Sequence, residues 1–178
     1  MRVVAGSAGG RRLVAPPGRR VRPTTDRVRE SVFGMLESLG VVDGAEVLDL
    51  FAGTGAMGIE ALSRGAARAT FVERDATSLR CIEANLAATG LGPAEVVRGD
   101  ALEYLRRAPS FDLVFADPPY AFDAWDVLLS RLTAALVVAE AAGPVEPGRG
   151  WDVMRSRRYG TTVMTLLRPV SGTDPSER

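Results

Sequence analysis

The chain contains no histidine and no lysine, and only one cysteine, Cys81. A lone cysteine cannot close an internal disulfide. Without histidine, a histidine/thiolate metal centre is excluded, so no metal cofactor is expected, although carboxylates remain able to hold a hard cation. Long apolar runs are also missing, and no cationic segment followed by an apolar stretch opens the chain. A signal peptide or membrane span is therefore not expected, and a cytoplasmic enzyme fits. What is present is the material of one core: 178 residues, 46% of them hydrophobic. A domain of that size buries about 70% of the surface of its unfolded chain.

Net charge is zero, but its distribution is uneven. Residues 1–30 hold eight arginines against Asp26 and Glu30, and residues 149–168 hold five against Asp152, leaving −10 for the remainder. Arginine presents a planar fork that matches phosphates and base edges, so two cationic stretches flanking an acidic centre suggest a nucleic-acid surface. Ordinary solvated charge is the plainer explanation of the same pattern.

The N-terminal residues form two short extended runs, Met1–Ala5 and Arg11–Ala15, which predict a small basic β arm over residues 1–20. Thr24 or Thr25 can cap a helix reaching Leu39, with Val28, Val32, Met35, Leu36 and Leu39 on one stripe. From Glu46 onward strands and helices alternate. The predicted strands are Glu46–Leu50, Ala69–Glu73, Glu95–Arg98, Phe111–Ala116 and Ala135–Ala139. Helices are predicted near Met57–Ser63, Thr77–Thr89, Ala101–Arg107 and Phe122–Leu132. In the Thr77–Thr89 helix, Leu79, Ile82 and Leu86 are expected to face inward, and Arg80, Glu83 and Asn85 to face water. Trp151–Arg157 and Thr161–Leu167 flank a Tyr-Gly turn and predict an antiparallel hairpin. The reading is an α/β fold, Rossmann-like, with a mostly parallel sheet, a main domain over residues 21–170 and a flexible tail over 171–178.

Val47-Leu48-Asp49-Leu50-Phe51-Ala52-Gly53-Thr54-Gly55-Ala56-Met57-Gly58 is an apolar strand running into a glycine turn and a helix. Gly53 and Gly55 permit tight turning and close ligand approach, and Gly58 permits close helix–sheet packing. Glu73, twenty residues after Gly53, ends the next strand, where its carboxylate can accept from ribose hydroxyls. The same glycine spacing matches a dinucleotide fingerprint. Asp49 separates the two: a carboxylate before the turn repels a pyrophosphate and favours the ammonium and sulfonium charges of S-adenosylmethionine. Phe51, Arg74, Asp100 and Ala101 complete the expected cofactor contacts. Asp100 is placed to accept from an adenine amine, or simply to cap the helix that follows it.

Phe111–Ala116 delivers Asp117-Pro118-Pro119-Tyr120 to the same sheet edge. Two prolines stiffen the backbone and contribute no N–H, leaving the Asp117 carboxylate and carbonyls such as that of Pro118 as acceptors. An exocyclic base amine, with two hydrogens to donate, fits such an array, and Tyr120 can stack on the base. A rigid turn before a helix would use the same four residues.

Taken together these segments resemble the bacterial RsmD family of guanine-N2 methyltransferases acting on small-subunit ribosomal RNA. The resemblance runs through Met1–Gly6, Gly10-Arg11-Arg12-Leu13, Arg22-Pro23-Thr24-Thr25-Asp26-Arg27-Val28-Arg29-Glu30, Leu48–Gly55, Phe71-Val72-Glu73 and Asp117–Tyr120. The Arg22–Glu30 string is the most discriminating, because Asp-Pro-Pro-Tyr also occurs in adenine-N6 methyltransferases. Thr54 stands where serine is frequent in the family, and Arg74 where lysine is. The resemblance implies a class I S-adenosylmethionine-dependent fold and one methyl transferred to the N2 of a guanine in 16S rRNA. It implies Glu73 on the ribose, Asp100 near the adenine, and Asp117, Pro118 and Tyr120 on the target base. Partly or fully assembled small subunits are the implied substrate, with ribosomal-protein contact. Phosphate contacts are expected among Arg11, Arg12, Arg19, Arg20, Arg22 and Arg157. An adenine-N6 methyltransferase and a non-catalytic ribosome-assembly module are the alternatives.

Overall fold

The computed structural model describes residues 1–16 and 25–170. Arg19, Arg20 and Arg22, and the tail from residue 171, lie outside the described residues. The elements in chain order are α1 (Asp26–Ser38), β1 (Glu46–Leu50), α2 (Ala56–Ser63), β2 (Arg68–Glu73), α3 (Ala76–Thr89), β3 (Ala94–Arg98), α4 (Ala101–Tyr104), β4 (Phe111–Ala116), α5 (Trp125–Arg131), β5 (Ala134–Ala141), β6 (Trp151–Tyr159) and β7 (Thr162–Pro169). Among the described residues seven strands form one sheet in the order β3-β2-β1-β4-β5-β7-β6. The first five pair in parallel, and β7 pairs antiparallel with both β5 and β6. Strand order reverses between β1 and β4, which opens a crevice at the carboxyl ends of those strands.

Alternation along each strand divides the core in two. Val47, Ala69, Phe71, Leu113, Phe115, Leu136 and Val138 pack on one face with Val32, Phe33 and Leu36 of α1 and Ile59 of α2. Leu48, Leu50, Val72, Val114, Ala116, Val137 and Ala139 pack on the other with Leu128 and Leu129 of α5. Continuing the first series by two residues gives Asp49, Glu73, Asp117 and Glu140, so one face carries a carboxylate at the end of four adjacent strands.

Thr25 caps α1 by accepting from Val28 N at 3.3 Å. The buried stripe of α1 is Arg29, Val32, Phe33 and Leu36, whereas Leu39 is 46% exposed. The expected stripe is thus rotated, because Arg29 is held inward by Asp26 Oδ1 at 2.9 Å and by the Arg2 carbonyl. Among the described residues of the N-terminal arm, one antiparallel bridge joins Arg2 to Arg12, and this segment packs onto the domain. Buried Glu60 of α2 accepts from Val4 N at 2.7 Å and Ala5 N at 3.0 Å, while Ser63 Oγ accepts from Ala8 N at 3.0 Å.

Asn85 corrects the expectation for α3. It is 1% exposed and faces inward, where its Nδ2 donates to the carbonyls of Val14 and Thr54. Helical spacing alone assigns a polar side chain to water, but these backbone groups satisfy it inside. α4 closes after one turn instead of reaching Arg107, and α5 starts at Trp125 instead of Phe122. Phe122 N donates to Pro119 O at 2.8 Å, which carries the rigid turn on to Phe122. The hairpin turns at Gly160, whose φ is +62°, and β6 exposes nearly all of its side chains. That strand lies at the sheet edge, and Arg155, Arg157 and Arg158 guard it against pairing with another chain. Among the described residues no helix is long and apolar enough to cross a membrane.

Candidate functional site

The glycine turn after β1 is built by unusual backbone. Phe51 adopts φ +58°, a conformation that side chains disfavour, and Gly53 and Gly55 follow at +56° and +75°. Glu73 holds the loop, its Oε2 accepting from Gly53 N at 2.9 Å. Its Oε1 accepts from Arg74 N and Asp75 N, both at 2.8 Å. A Cβ on Gly53 would meet only the Phe51 carbonyl, at 3.9 Å, so this position stays open to a ligand. Gly55 does different work: a Cβ there would press on Phe71, Ile82 and Ile59 at 3.2–3.4 Å, and the residue does not line the cleft. A Cβ on Gly58 would sit 2.4 Å from Phe71, which agrees with its expected role in packing α2 on the sheet.

A cleft of about 500 Å³ lies over the ends of β1, β2 and β4. It brings together Asp49, Phe51, Gly53, Glu73, Arg74, Asp100, Ala101, Asp117, Pro118 and Tyr120, ten of the eleven residues expected at the cofactor and amine ends. Asp100 caps α4 through Oδ1, which accepts from Leu102 N at 2.9 Å and Glu103 N at 3.2 Å, and it lines the cleft as well. Tyr120 is 57% exposed, with its hydroxyl 3.0 Å from Thr162 Oγ1, so the ring stands open while its tip is fixed.

Electrostatics set this cleft apart from a phosphate site. Among the described residues its walls carry six carboxylates against the single guanidinium of Arg74. Burial pushes the Asp49 carboxyl up to about 7, opposed by the hydrogen bond from Gly58 N at 2.9 Å and reinforced by the charge of Glu73. Asp117 also lies well above the ordinary carboxylate range. The cleft walls desolvate it, and the charges of Glu140 and Asp49 add to the effect. Such walls repel a pyrophosphate. They suit a ligand with positive charge and hydroxyl donors, so S-adenosylmethionine fits the donor set and a dinucleotide does not.

Sequence reasoning missed Glu140 and the cavity next to it. A second hollow of about 450 Å³ meets the first at Glu140 and is lined by Arg27, Ser31, Arg157, Tyr159 and Thr162 among others. Arg157 stacks on Tyr159 at 5.2 Å, and the Tyr159 hydroxyl lies 2.7 Å from Ser31 Oγ. An acid ending an apolar strand was the available signal, the same one that marks Glu73. Arg11 and Arg12 line neither hollow. Arg11 donates to Ala88 O at 2.9 Å, ten residues and so about 15 Å along α3 from Ser78 in the cleft.

Known proteins resemble this chain. The family model described as Conserved hypothetical protein 95 matches residues 1–168. YlbH of Bacillus subtilis is 38% identical over 183 aligned positions, covering 94% of this chain and 98% of that protein. Ribosomal RNA small subunit methyltransferase D of Haemophilus influenzae is 33% identical over 182, covering 94% and 93%. The solved structure of yhhF from Escherichia coli matches with a TM-score of 0.83 at 34% identity, over 95% of this chain and 97% of that one. Strand order, glycine turn and acidic cleft define a class I S-adenosylmethionine-dependent methyltransferase. Within that class, the chain belongs to the bacterial RsmD family, that of ribosomal RNA small subunit methyltransferase D.

Proposed function

We propose that this chain transfers a methyl group from S-adenosylmethionine to the exocyclic N2 amine of one guanine in 16S ribosomal RNA. The observation that carries the reading is the row of carboxylates Glu73, Asp49, Asp117 and Glu140, which follows strand order along one sheet edge and faces one cleft. The cofactor half of the row is Glu73 and Asp49, with Phe51, Gly53, Arg74, Asp100 and Ala101 around them; the base half begins at Asp117.

Bound S-adenosylmethionine supplies an electrophilic methyl on a positively charged sulfur. Glu73 accepts from the ribose hydroxyls, and Asp49 favours the cationic end. Asp117 and the Pro118 carbonyl accept from the two hydrogens of the amine. The amine is a weak nucleophile because its lone pair is delocalised into the ring, and fixed acceptors turn that lone pair out of the plane. As the N–C bond forms and the S–C bond breaks, the amine gives up one proton, along its hydrogen bond to Asp117 or to water. Alignment and preorganised polarity supply the acceleration, without a covalent enzyme intermediate. Tyr120 stacks on the base, a contact worth roughly 1–3 kcal/mol. The target base must be unpaired or flipped out, since pairing hides its amine.

Arg157 and Arg27, at the second hollow, contact phosphates beside the target nucleotide. Arg11 and Arg12, on the same side of the chain as the unassigned Arg19, Arg20 and Arg22 in sequence, reach more distant phosphates. The substrate is the partly or fully assembled small subunit in the cytoplasm, where a preformed RNA–protein surface and ribosomal-protein contact supply selectivity. The test is incubation of unmodified small subunits with the protein and labelled cofactor, followed by digestion to nucleosides. Labelled N2-methylguanosine is expected. Labelled N6-methyladenosine would overturn the choice of base, and absence of transfer with both ligands bound would favour a non-catalytic assembly role.

A further inference from the structure

Register places a second carboxylate beside the amine site. β4 and β5 run parallel with Ala116 opposite Ala139, so the next residues, Asp117 just past β4 and Glu140 within β5, come at one level. Adjacent strands are about 5 Å apart. Glu140 is 8% exposed and is the charged residue in a strand otherwise made of alanine, leucine and valine. Strand pairing through β7 calls only for its backbone, which is matched to Met164. Its side chain belongs to the series that begins Leu136, Val138, and it lines both the cofactor cleft and the hollow next to it. An incoming base that reaches Asp117 from the arginine-lined hollow must pass Glu140.

The hydrogens of the bases distinguish what two adjacent carboxylates can hold. Guanine offers three donors on one edge, two on the exocyclic amine and one on ring N1. Adenine offers its amine beside a bare N1 lone pair. One acceptor site such as Asp117 with the Pro118 carbonyl serves either amine. A neighbouring carboxylate serves guanine alone: it accepts from N1–H, whereas toward adenine it sets lone pair against lone pair. Sites built to hydrogen-bond a substrate N–H reject analogues lacking it far more strongly than hydrophobic pockets reject changes of size. Three hydrogens entering between two crowded acids also relieve their mutual repulsion, which adds to the desolvation that raises Asp117 in the free protein.

We propose that Glu140 is the specificity-determining residue for the base, accepting from guanine N1–H while Asp117 and the Pro118 carbonyl accept from N2. This rests on the reading of the chain as a guanine-N2 methyltransferase. No proton is moved by Glu140, and N1 keeps its hydrogen throughout.

The test uses small subunits reconstituted with 16S rRNA carrying either guanine or 2-aminopurine at the mapped target position. Both bases present a 2-amine, but 2-aminopurine has a lone pair at N1 where guanine has a hydrogen. Native protein should favour guanine. Glu140→Gln, whose amide can donate to a bare N1, should lower kcat/KM on guanine by tenfold or more and narrow the guanine-to-2-aminopurine ratio by at least tenfold. Cofactor affinity should stay within about twofold. The ratio is taken on one preparation, so partial misfolding cancels from it. An unchanged ratio, with native protein still producing N2-methylguanosine, overturns the role of Glu140 and leaves the parent reading standing. If native protein makes no N2-methylguanosine, both fall.

Discussion

Asn85 grips the backbone of Val14 from both sides, its Oδ1 accepting from Val14 N at 2.7 Å and its Nδ2 donating to Val14 O at 3.1 Å. The same Nδ2 donates to Thr54 O at 2.9 Å, within the glycine turn. One buried amide therefore ties the N-terminal arm and the cofactor loop to α3. Asn85→Ala leaves the Val14 N–H and the carbonyls of Val14 and Thr54 short of a partner, at roughly 1–3 kcal/mol for each group that stays dry. A lower thermal midpoint is expected, together with weaker cofactor binding as the turn loosens. Calorimetry with and without cofactor measures both, and a native midpoint would remove Asn85 from this role.

Asp49 should make the stability of the free protein depend on pH in the sense opposite to most acids. Its carboxyl is raised from 3.8 to about 7, so the fold holds the proton more tightly than the unfolded chain does. Stability from this group is present below pH ~4 and is lost as pH rises toward about 7, where the folded-state acid ionises. The loss amounts to at most about 4 kcal/mol. Asp49→Asn, which can keep the acceptor for Gly58 N, should be more stable than native protein at pH 8, with the difference closing by about pH 4. Its cofactor affinity should fall. Urea titrations at both pH values decide this, and equal stabilities at pH 8 would count against a buried ionised Asp49.

Gly58→Ala tests the packing of α2. The added Cβ would lie 2.4 Å from Cε1 of the buried Phe71 ring, which must move. Overpacking of this kind costs typically 1–3 kcal/mol, more than the helical preference for alanine returns. A fall in stability by denaturant titration is expected. A gain would mean that the ring has room.

Arg27 and Arg157 face the second hollow, so the double variant Arg27→Ala/Arg157→Ala should weaken RNA binding and reduce the slope of log affinity against log salt by roughly one to two. Arg106→Ala is the control, since Arg106 pairs with Glu103 on α4 and lines neither hollow. Equal effects from the two would dissolve the assignment of phosphate contacts to the second hollow.

The order of strands and helices was legible because strands such as Leu48–Leu50 and Leu113–Ala116 are buried on both faces and read as apolar runs. The cleft was legible for a related reason: Asp49, Glu73 and Asp117 are acids at the ends of such runs, where a core has no use for them. Asn85 and Arg29 were not legible. Each is a polar side chain turned inward by backbone partners from a distant segment, which helical periodicity does not reveal. Glu140 carries the same signal as Glu73, but the expected strand ends at Ala139, two residues short of the observed end at Ala141, and the acid falls outside it. The second hollow arises where α1 meets the β6–β7 hairpin, two elements more than a hundred residues apart, and no local pattern marks that meeting.

The most direct measurement is single-turnover methyl transfer by Asp117→Ala, set beside its equilibrium affinity for cofactor. On the proposed mechanism Asp117 accepts from the amine and matters most as the N–C bond forms, so the transfer rate should drop by a hundredfold or more, while cofactor affinity stays within a few-fold of native. Near-native transfer by this variant would contradict the placement of the methyl acceptor at Asp117.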